Sequence, residues 1–278
     1  MKFEQSVILA KGKKGIDPFL KWAGGKRWLL SSHPELFQTE YKRYIEPFLG
    51  SGSVFFNMLP TEAILSDRNS QLIETYLAMK SDCAAIFELL EEHQIKHCKE
   101  YYYTVRKKDY MSIYERAAQL IYLNRTCWNG LYRVNRNNKF NVPIGTKTNV
   151  LLHTREEFKQ IAEALKTAKV LASDFEKIID EGKAGDLVFV DPPYTVKHDN
   201  NGFIKYNDKL FSWNDQVRLR DAVERARSRG AKIIVTNADH YSIKELYKGF
   251  NQFEAQRISV LAGINKYRGK VKELIITG

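Results

Sequence analysis

Apolar residues in this chain recur in two rhythms. Short runs at 43–48 (RYIEPF), 63–66 (AILS), 169–172 (KVLA), 187–190 (LVFV), 232–236 (KIIVT), 253–258 (FEAQRI) and 271–277 (VKELIIT) read as strands, several of them apolar at nearly every position. Helical spacing falls between many of them, at 69–80, 156–165, 214–228 and 242–247. Strands that alternate with helices predict an α/β fold, a mostly parallel sheet covered by helices on both faces. Ligands of such sheets lie beyond the carboxyl ends of the strands. The middle of the chain departs from the alternation. AAIFELLEEHQ and IYERAAQLIYLN carry a helical period, and YRVNRNNKFNV alternates around NRNN, which predicts a hairpin. The pattern therefore divides the chain into a loose basic leader (1–17), one α/β domain split between 18–80 and 151–278, and a helical insertion with a hairpin at 81–150.

Charge adds a second irregularity. Lys and Arg number 44 against 33 Asp and Glu, a net charge of +11. This favours polyanionic partners, although excess charge alone is weak grounds for one. Residues 116–155 contain no Asp or Glu, where average usage would place roughly five. They carry Arg116, Arg125, Arg133, Arg136, Lys139, Lys147 and Arg155, interleaved with seven Asn and four aromatics. A face that attracts phosphate accounts for missing acids, since each carboxylate would repel a polyanion. It does not account for the aromatics and the hairpin. Cys83, Cys98 and Cys127 form no CxxC pair, so neither a disulfide framework nor a zinc site is expected and a reducing cytoplasm fits best. No apolar run approaches membrane-spanning length, and the six His show no ligand spacing.

Three short motifs carry candidate chemistry. In LVFVDPPY, an apolar strand ends at Asp191, followed by Pro192, Pro193 and Tyr194. The prolines stop the ladder and stiffen the backbone where a doubly wound sheet receives ligands. A carboxylate, a free Pro192 carbonyl and an aromatic ring then converge. The first two can accept the hydrogens of an exocyclic amine while Tyr194 stacks on its ring. The plainer reading is a strand-terminating turn. In YIEPFLGSGSVFF, Glu46 ends a strand and Gly50 and Gly52 precede an apolar helix start, where a ligand can approach the backbone. The full G-x-G-x-x-G pattern is absent, because Phe55 stands at its third glycine. Asp67, at the end of the next strand, suits the hydroxyls of a ribose or a helix cap. In PFLKWAGGK, Lys26 could meet a carboxylate and Trp22 could cover a flat group, though a plain turn with a buried Trp explains the same letters.

Taken together and in this order, PFLKWAGGK, EPFLGSGSVFF, LSDRN, YLNRTCWNGLYRVN, FNVPIG, SDFEKI, DPPY and RGKVKELIIT resemble the Dam-type DNA adenine-N6 methyltransferases, over about Pro18 to Thr277. The resemblance implies a Rossmann-like sheet that binds S-adenosylmethionine, with a target-recognition module inserted before DPPY. It implies a cofactor pocket of Trp22, Lys26, Glu46, Phe48, Gly50, Gly52, Asp67, Asp174 and Asp191, with Asp67 on the ribose and Asp174 near the adenine. Asp191 also reaches the target amine, through the segment Asp191, Pro192, Pro193 and Tyr194. No metal is implied. The partner is double-stranded DNA, contacted by Lys21, Arg125, Trp128, Asn129, Leu131, Arg133, Pro143 and Lys147, and the protein is expected to act as a monomer. Trp128 lies where the family inserts a side chain into the vacancy left by a flipped base, and Arg133 suits a guanine. Leu131 and Pro143 suit thymine methyls and Lys21 a flanking guanine, which together point to GATC. Arg125, Arg136 and Lys139 are expected on phosphates. Lys147 departs from the family, which can carry an aromatic there.

Two other readings compete. Cytosine-N4 transfer needs the same acceptor geometry, but those enzymes more often carry Ser where Asp191 stands. A non-catalytic DNA-binding protein on the same fold would require a broken pocket, and every motif here is intact.

Overall fold

The computed structural model describes residues 15–135, 137–151, 153–197, 211–258 and 270–278. Seven strands form one sheet: β1 (Arg43–Glu46), β2 (Ala63–Asp67), β3 (Ala168–Ala172), β4 (Asp186–Val190), β5 (Lys232–Ala238), β6 (Asn251–Ile258) and β7 (Lys270–Thr277). Their order is β3-β2-β1-β4-β5-β7-β6. The first five are parallel, and β7 runs antiparallel between β5 and β6. β4 is buried at all five positions, as expected of a parallel strand covered on both faces. The order reverses between β1 and β4, so the crevice where such sheets take ligands opens beyond Glu46 and Val190.

The helices are α1 (Arg27–Ser32), α2 (Phe55–Met58), α3 (Ser70–Ser81), α4 (Cys83–Lys96), α5 (Lys99–Lys107), α6 (Ile113–Thr126), α7 (Arg155–Lys166), α8 (Phe175–Ile179), α9 (Trp213–Ser228) and α10 (Tyr241–Leu246). Local chemistry sets their ends. Asn69 and Asp82 accept backbone N–H bonds at the starts of α3 and α4, and capping boxes open α6, α7 and α9. One apolar cluster, with Ile178, Leu219, Val223 and Ile276, packs α8 and α9 on one face of the sheet. The other face belongs to a larger cluster that runs from Tyr44, Leu65 and Phe189 through Tyr76, Ile86 and Tyr102 to Tyr122 and Cys127. The inserted helices therefore share a core with the sheet.

Residues 15–17, expected as part of a loose leader, are tied down. The Ile16 N–H donates to Phe56 O at 2.9 Å, and Asp17 pairs with Arg27 at 2.6 Å. The rest of the leader lies outside the described residues. The predicted hairpin is short: Val134 and Phe140 form a single antiparallel bridge, Asn135 N–H donates to Lys139 O and Asn141 N–H to Arg133 O.

Candidate active site and nucleic-acid interface

β4 delivers Asp191 to the crevice. Its Oδ1 accepts the Thr236 hydroxyl at 2.6 Å from the end of neighbouring β5 and lies 2.9 Å from Lys26 Nζ. Lys26 is 3% exposed, donates to Gly24 O at 2.7 Å and lies 3.6 Å from Glu273 Oε2. The Tyr194 hydroxyl donates to the same Glu273 oxygen at 2.8 Å, and the Lys26 ammonium sits 5.1 Å from the Tyr194 ring centre. Burial pushes the Asp191 carboxyl up, while Lys26 and the Thr236 hydroxyl pull it back. Removing Lys26 would take away the cation that offsets the Asp191 carboxylate. The turn after Asp191 is braced from below: Thr195 donates to Phe211 O, and Gln216 reaches Thr195 O while accepting from Asn237.

On the other side of the crevice, Gly50 takes φ 49° and Gly52 φ 63°, left-handed values that disfavour a side chain. A Cβ on Gly50 would lie 2.8 Å from Trp22 Cδ1, so the indole rests directly on the turn. Asp67 braces the turn from β2: its Oδ2 accepts the Gly50 N–H at 3.1 Å and its Oδ1 the Asn69 N–H at 2.9 Å. Each oxygen keeps a lone pair, so bracing does not exclude binding a hydroxyl. The helix cap itself is Asn69, not Asp67. Glu46 is 3% exposed and accepts the Tyr44 hydroxyl at 2.9 Å, and burial raises its pKa well above the usual carboxylate range. Phe48 stacks on Phe175 with centroids 5.3 Å apart, beside Asp174, which caps α8 and pairs with Arg218 at 2.9 Å. A flat apolar surface, a carboxylate for hydroxyls and a glycine turn that admits close approach fit an adenosyl group. A cavity of about 360 Å³ opens at the same turn, lined in part by Lys21, Trp22, Gly25, Ser51, Ser53 and Arg125. Asp191 is not among its walls, so convergent polar groups rather than the cavity mark the candidate reaction centre.

The insertion is joined to this site by Asn124, which is fully buried. Its side chain accepts the Lys21 N–H at 2.8 Å and donates to Lys21 O at 2.9 Å and Gly130 O at 3.2 Å. Trp22 stacks on Tyr132 at 4.9 Å, and Tyr132 donates to Gln71. Beyond Asn124 the chain turns outward. Trp128 is 53% exposed, with its N–H on Pro143 O at 2.9 Å, and Asn129 takes φ 56°. Arg133 is exposed and held by Asn141 Oδ1 at 2.8 Å, Leu131 packs at the rim of the core, and Pro143 and Lys147 are exposed. The Lys147 carbonyl is fixed by His97 at 3.0 Å, and the positive charge of Lys147 acts on Lys21. Burial and this neighbour bring the Lys21 pKa down to about 8.

Arg125 corrects the sequence reading. Expected on a phosphate, it is 5% exposed and donates to Phe19 O at 2.9 Å and Pro18 O at 3.2 Å. The reason is its place on α6, which is buried at every position from Leu120 to Thr126. Arg116 is likewise committed to Glu74, Arg155 to Glu88 and Glu91, and Lys139 to Asp109 at the surface. Arg136 lies outside the described residues. Part of the acid-free run thus faces acids on α3 and α4 rather than a ligand. Thr236, Glu273, Asn124 and Tyr132 were missed. Glu273 left one trace, an acid inside an apolar strand run.

Among the described residues, no group of His, Cys, Asp and Glu could hold a metal, and no helix is long and apolar enough to cross a membrane. Residues 22–261 match the family model of the D12 class N6 adenine-specific DNA methyltransferases. A type II methyltransferase of Lactococcus lactis subsp. cremoris is 39% identical over 278 residues, covering 97% of this chain and 98% of its own. A type II methyltransferase of Methanocaldococcus jannaschii is 35% identical, covering 94% and 98%. A DNA adenine methylase of Haemophilus influenzae is 33% identical, covering 93% and 92%. With the family model spanning most of its length and relatives aligned nearly end to end, the chain belongs to the D12 class of N6 adenine-specific DNA methyltransferases.

Proposed function

We propose that this adenine-specific DNA methyltransferase acts as a monomer on an adenine flipped out of duplex GATC. The observation that carries the reading is the Asp191 carboxylate at the switch point of the sheet, held from one side by Lys26 and Thr236. When bound, S-adenosylmethionine supplies the electrophilic methyl group. Lys26 and Thr236 engage Asp191 Oδ1, which leaves Oδ2 to accept a hydrogen of the adenine N6. The Pro192 carbonyl accepts the second. Accepting both hydrogens localises a lone pair otherwise delocalised into the ring and aims it. Positioning and electrostatics of this kind lower a barrier by several kcal/mol without a covalent intermediate. Tyr194, fixed at its hydroxyl, offers a ring face for the base to stack on. Trp22, Phe48, Gly50, Gly52, Asp67 and Asp174 form the adenosyl side, and burial holds the Glu46 carboxyl well above its usual pKa at the floor of the crevice.

The segment 81–150 is the target-recognition module. Trp128 is the exposed aromatic that fills the vacancy in the duplex, with Asn129 supporting the turn that presents it. Arg133, steadied by Asn141, reads guanine O6 and N7, and Leu131 and Pro143 meet thymine methyls. Lys21 and Lys147 together meet the flanking guanine and the phosphates beside it.

The test uses methyl-labelled S-adenosylmethionine with duplexes that contain GATC, lack it, or carry it already methylated. Wild type is expected to label only the first, and Asp191→Ala none. Label in duplexes without GATC would remove the sequence assignment and leave the chemistry. Label retained by Asp191→Ala would remove the role of Asp191.

A further inference from the structure

We propose that Glu273 is a positioning residue for the transfer, whose buried carboxylate holds the Tyr194 phenol and shares the Lys26 ammonium with Asp191. The inference rests on the reading of Asp191 and Tyr194 given above.

Glu273 is an unusual resident of its strand. It sits on β7, opposite Ala238 of β5 and Ala255 of β6, and is 1% exposed. Side chains alternate along a strand, so Glu273 shares the face of Ile275, which belongs to the cluster beneath the inserted helices. A carboxylate there costs several kcal/mol in desolvation unless it is paired and hydrogen-bonded. Two groups of the reaction centre meet it: the Tyr194 hydroxyl at 2.8 Å and the Lys26 ammonium at 3.6 Å. A phenol pinned at its oxygen cannot swing the ring away about the Cα–Cβ bond, so the place of the ring is set before a base arrives. The ammonium, held between Glu273 and Asp191, keeps the latter's Oδ1 oriented. Glu273 also acts on Asp191 through space, since its charge raises the proton affinity of that carboxyl. It reaches the reacting atoms only through these two residues.

The two contacts can be separated in the full-length chain. Glu273→Gln keeps an acceptor for the phenol and removes the charge, whereas Glu273→Ala removes both. Methyl transfer is followed as a function of pH, with fluorescence of 2-aminopurine at the target position reporting the stacked base. For Glu273→Gln, target fluorescence is expected to match wild type. Its acid limb of kcat is expected to move to lower pH, because Asp191 loses a like-charged neighbour and ionises more readily. For Glu273→Ala, a fall in kcat on the order of 100-fold is expected, with altered target fluorescence that Tyr194→Phe reproduces. An unmoved acid limb in Glu273→Gln, or kcat within twofold of wild type in Glu273→Ala, would overturn the proposal. If Glu273→Ala does not fold, the Glu273→Gln profile decides alone. Wild-type protein that labels no adenine would overturn the proposed function and this inference together. Labelling by wild type with unaffected variants would overturn only this one.

Discussion

Asn124 gives the sharpest quantitative prediction. Its amide is the point where the insertion grips the N-terminal motif, through three hydrogen bonds to Lys21 and Gly130. Replacing it with Ala deletes all three at once and leaves Lys21 N–H, Lys21 O and Gly130 O without that partner. A buried polar group stripped of its partner costs about 1–3 kcal/mol. Three such groups would cost about 3–9 kcal/mol together; Lys21 is only partly buried and can recover water, so the sum is about 3 kcal/mol, the lower limit. For a chain of this size each kcal/mol lowers Tm by roughly 2–4 °C, which gives a drop of about 6–12 °C. Asn124→Asp separates shape from chemistry. It keeps the acceptor for Lys21 N–H but turns an oxygen towards two carbonyls, so it should be no more stable than Asn124→Ala. Calorimetric or denaturant unfolding with and without cofactor measures both. Because Trp22 adjoins the clamped residue and rests on Gly50, the KM for S-adenosylmethionine should rise in both variants. A Tm loss below about 2 °C for Asn124→Ala would refute the reasoning, because it would mean that the three bonds are replaced at no cost.

Four further outcomes are expected. Gly50→Ala places a methyl against the Trp22 indole in a left-handed backbone, costing about 1–2 kcal/mol in strain, and calorimetry should show cofactor affinity falling by more than stability does. Glu46 keeps its proton when folded but loses it near its ordinary pKa when unfolded, so wild-type stability should decline as pH rises above about 4.5; Glu46→Gln should flatten that decline in Tm measured against pH. Arg133→Ala should cost about 1–3 kcal/mol at one guanine and relax discrimination there, whereas uniform weakening across sequences would mark a phosphate contact. DNA affinity should fall as pH rises through about 8 with the loss of the Lys21 charge; Lys147→Ala should move that fall to higher pH and reduce the salt slope by about one.

Local patterns were readable and distant ones were not. All seven strands could be placed: β4, covered on both faces, is apolar at most positions, and the edge strands still carry short apolar runs. Asp191 and Tyr194 stand beside a strand end, and the Gly50 turn with Asp67 spans a single βαβ step, so their grouping could be inferred from nearby letters. The partners that give these residues their orientation are far away in sequence: Thr236 lies 45 residues from Asp191, Glu273 lies 79 from Tyr194, and Asn124 lies 103 from Lys21. No short motif encodes such pairs. Arg125 failed for a different reason. A basic residue late in a helix reads as solvent-facing, but α6 is packed on all sides at that end, and the guanidinium serves the carbonyls of another segment. The shortage of acids in 116–155 therefore has two causes, an outward basic face and an inward turn of helix with no room for carboxylates.

The continuous core beneath the insertion has a consequence for building chimeras. Tyr76, Tyr102, Tyr122 and Phe189 belong to one packed cluster, so cutting at the ends of the insertion would sever that cluster. A donor protein's helices would have to match this one's sheet, methyl group for methyl group. The outward loop between Trp128 and Lys147 is anchored on that core by Val142 within it and by Cys127 and Val150 at its ends, with Leu131, Phe140 and Ile144 packed against it. If this loop reads the target as proposed, transplanting it on those anchors should exchange target preference, while whole-insertion exchange would disturb the sheet beneath it.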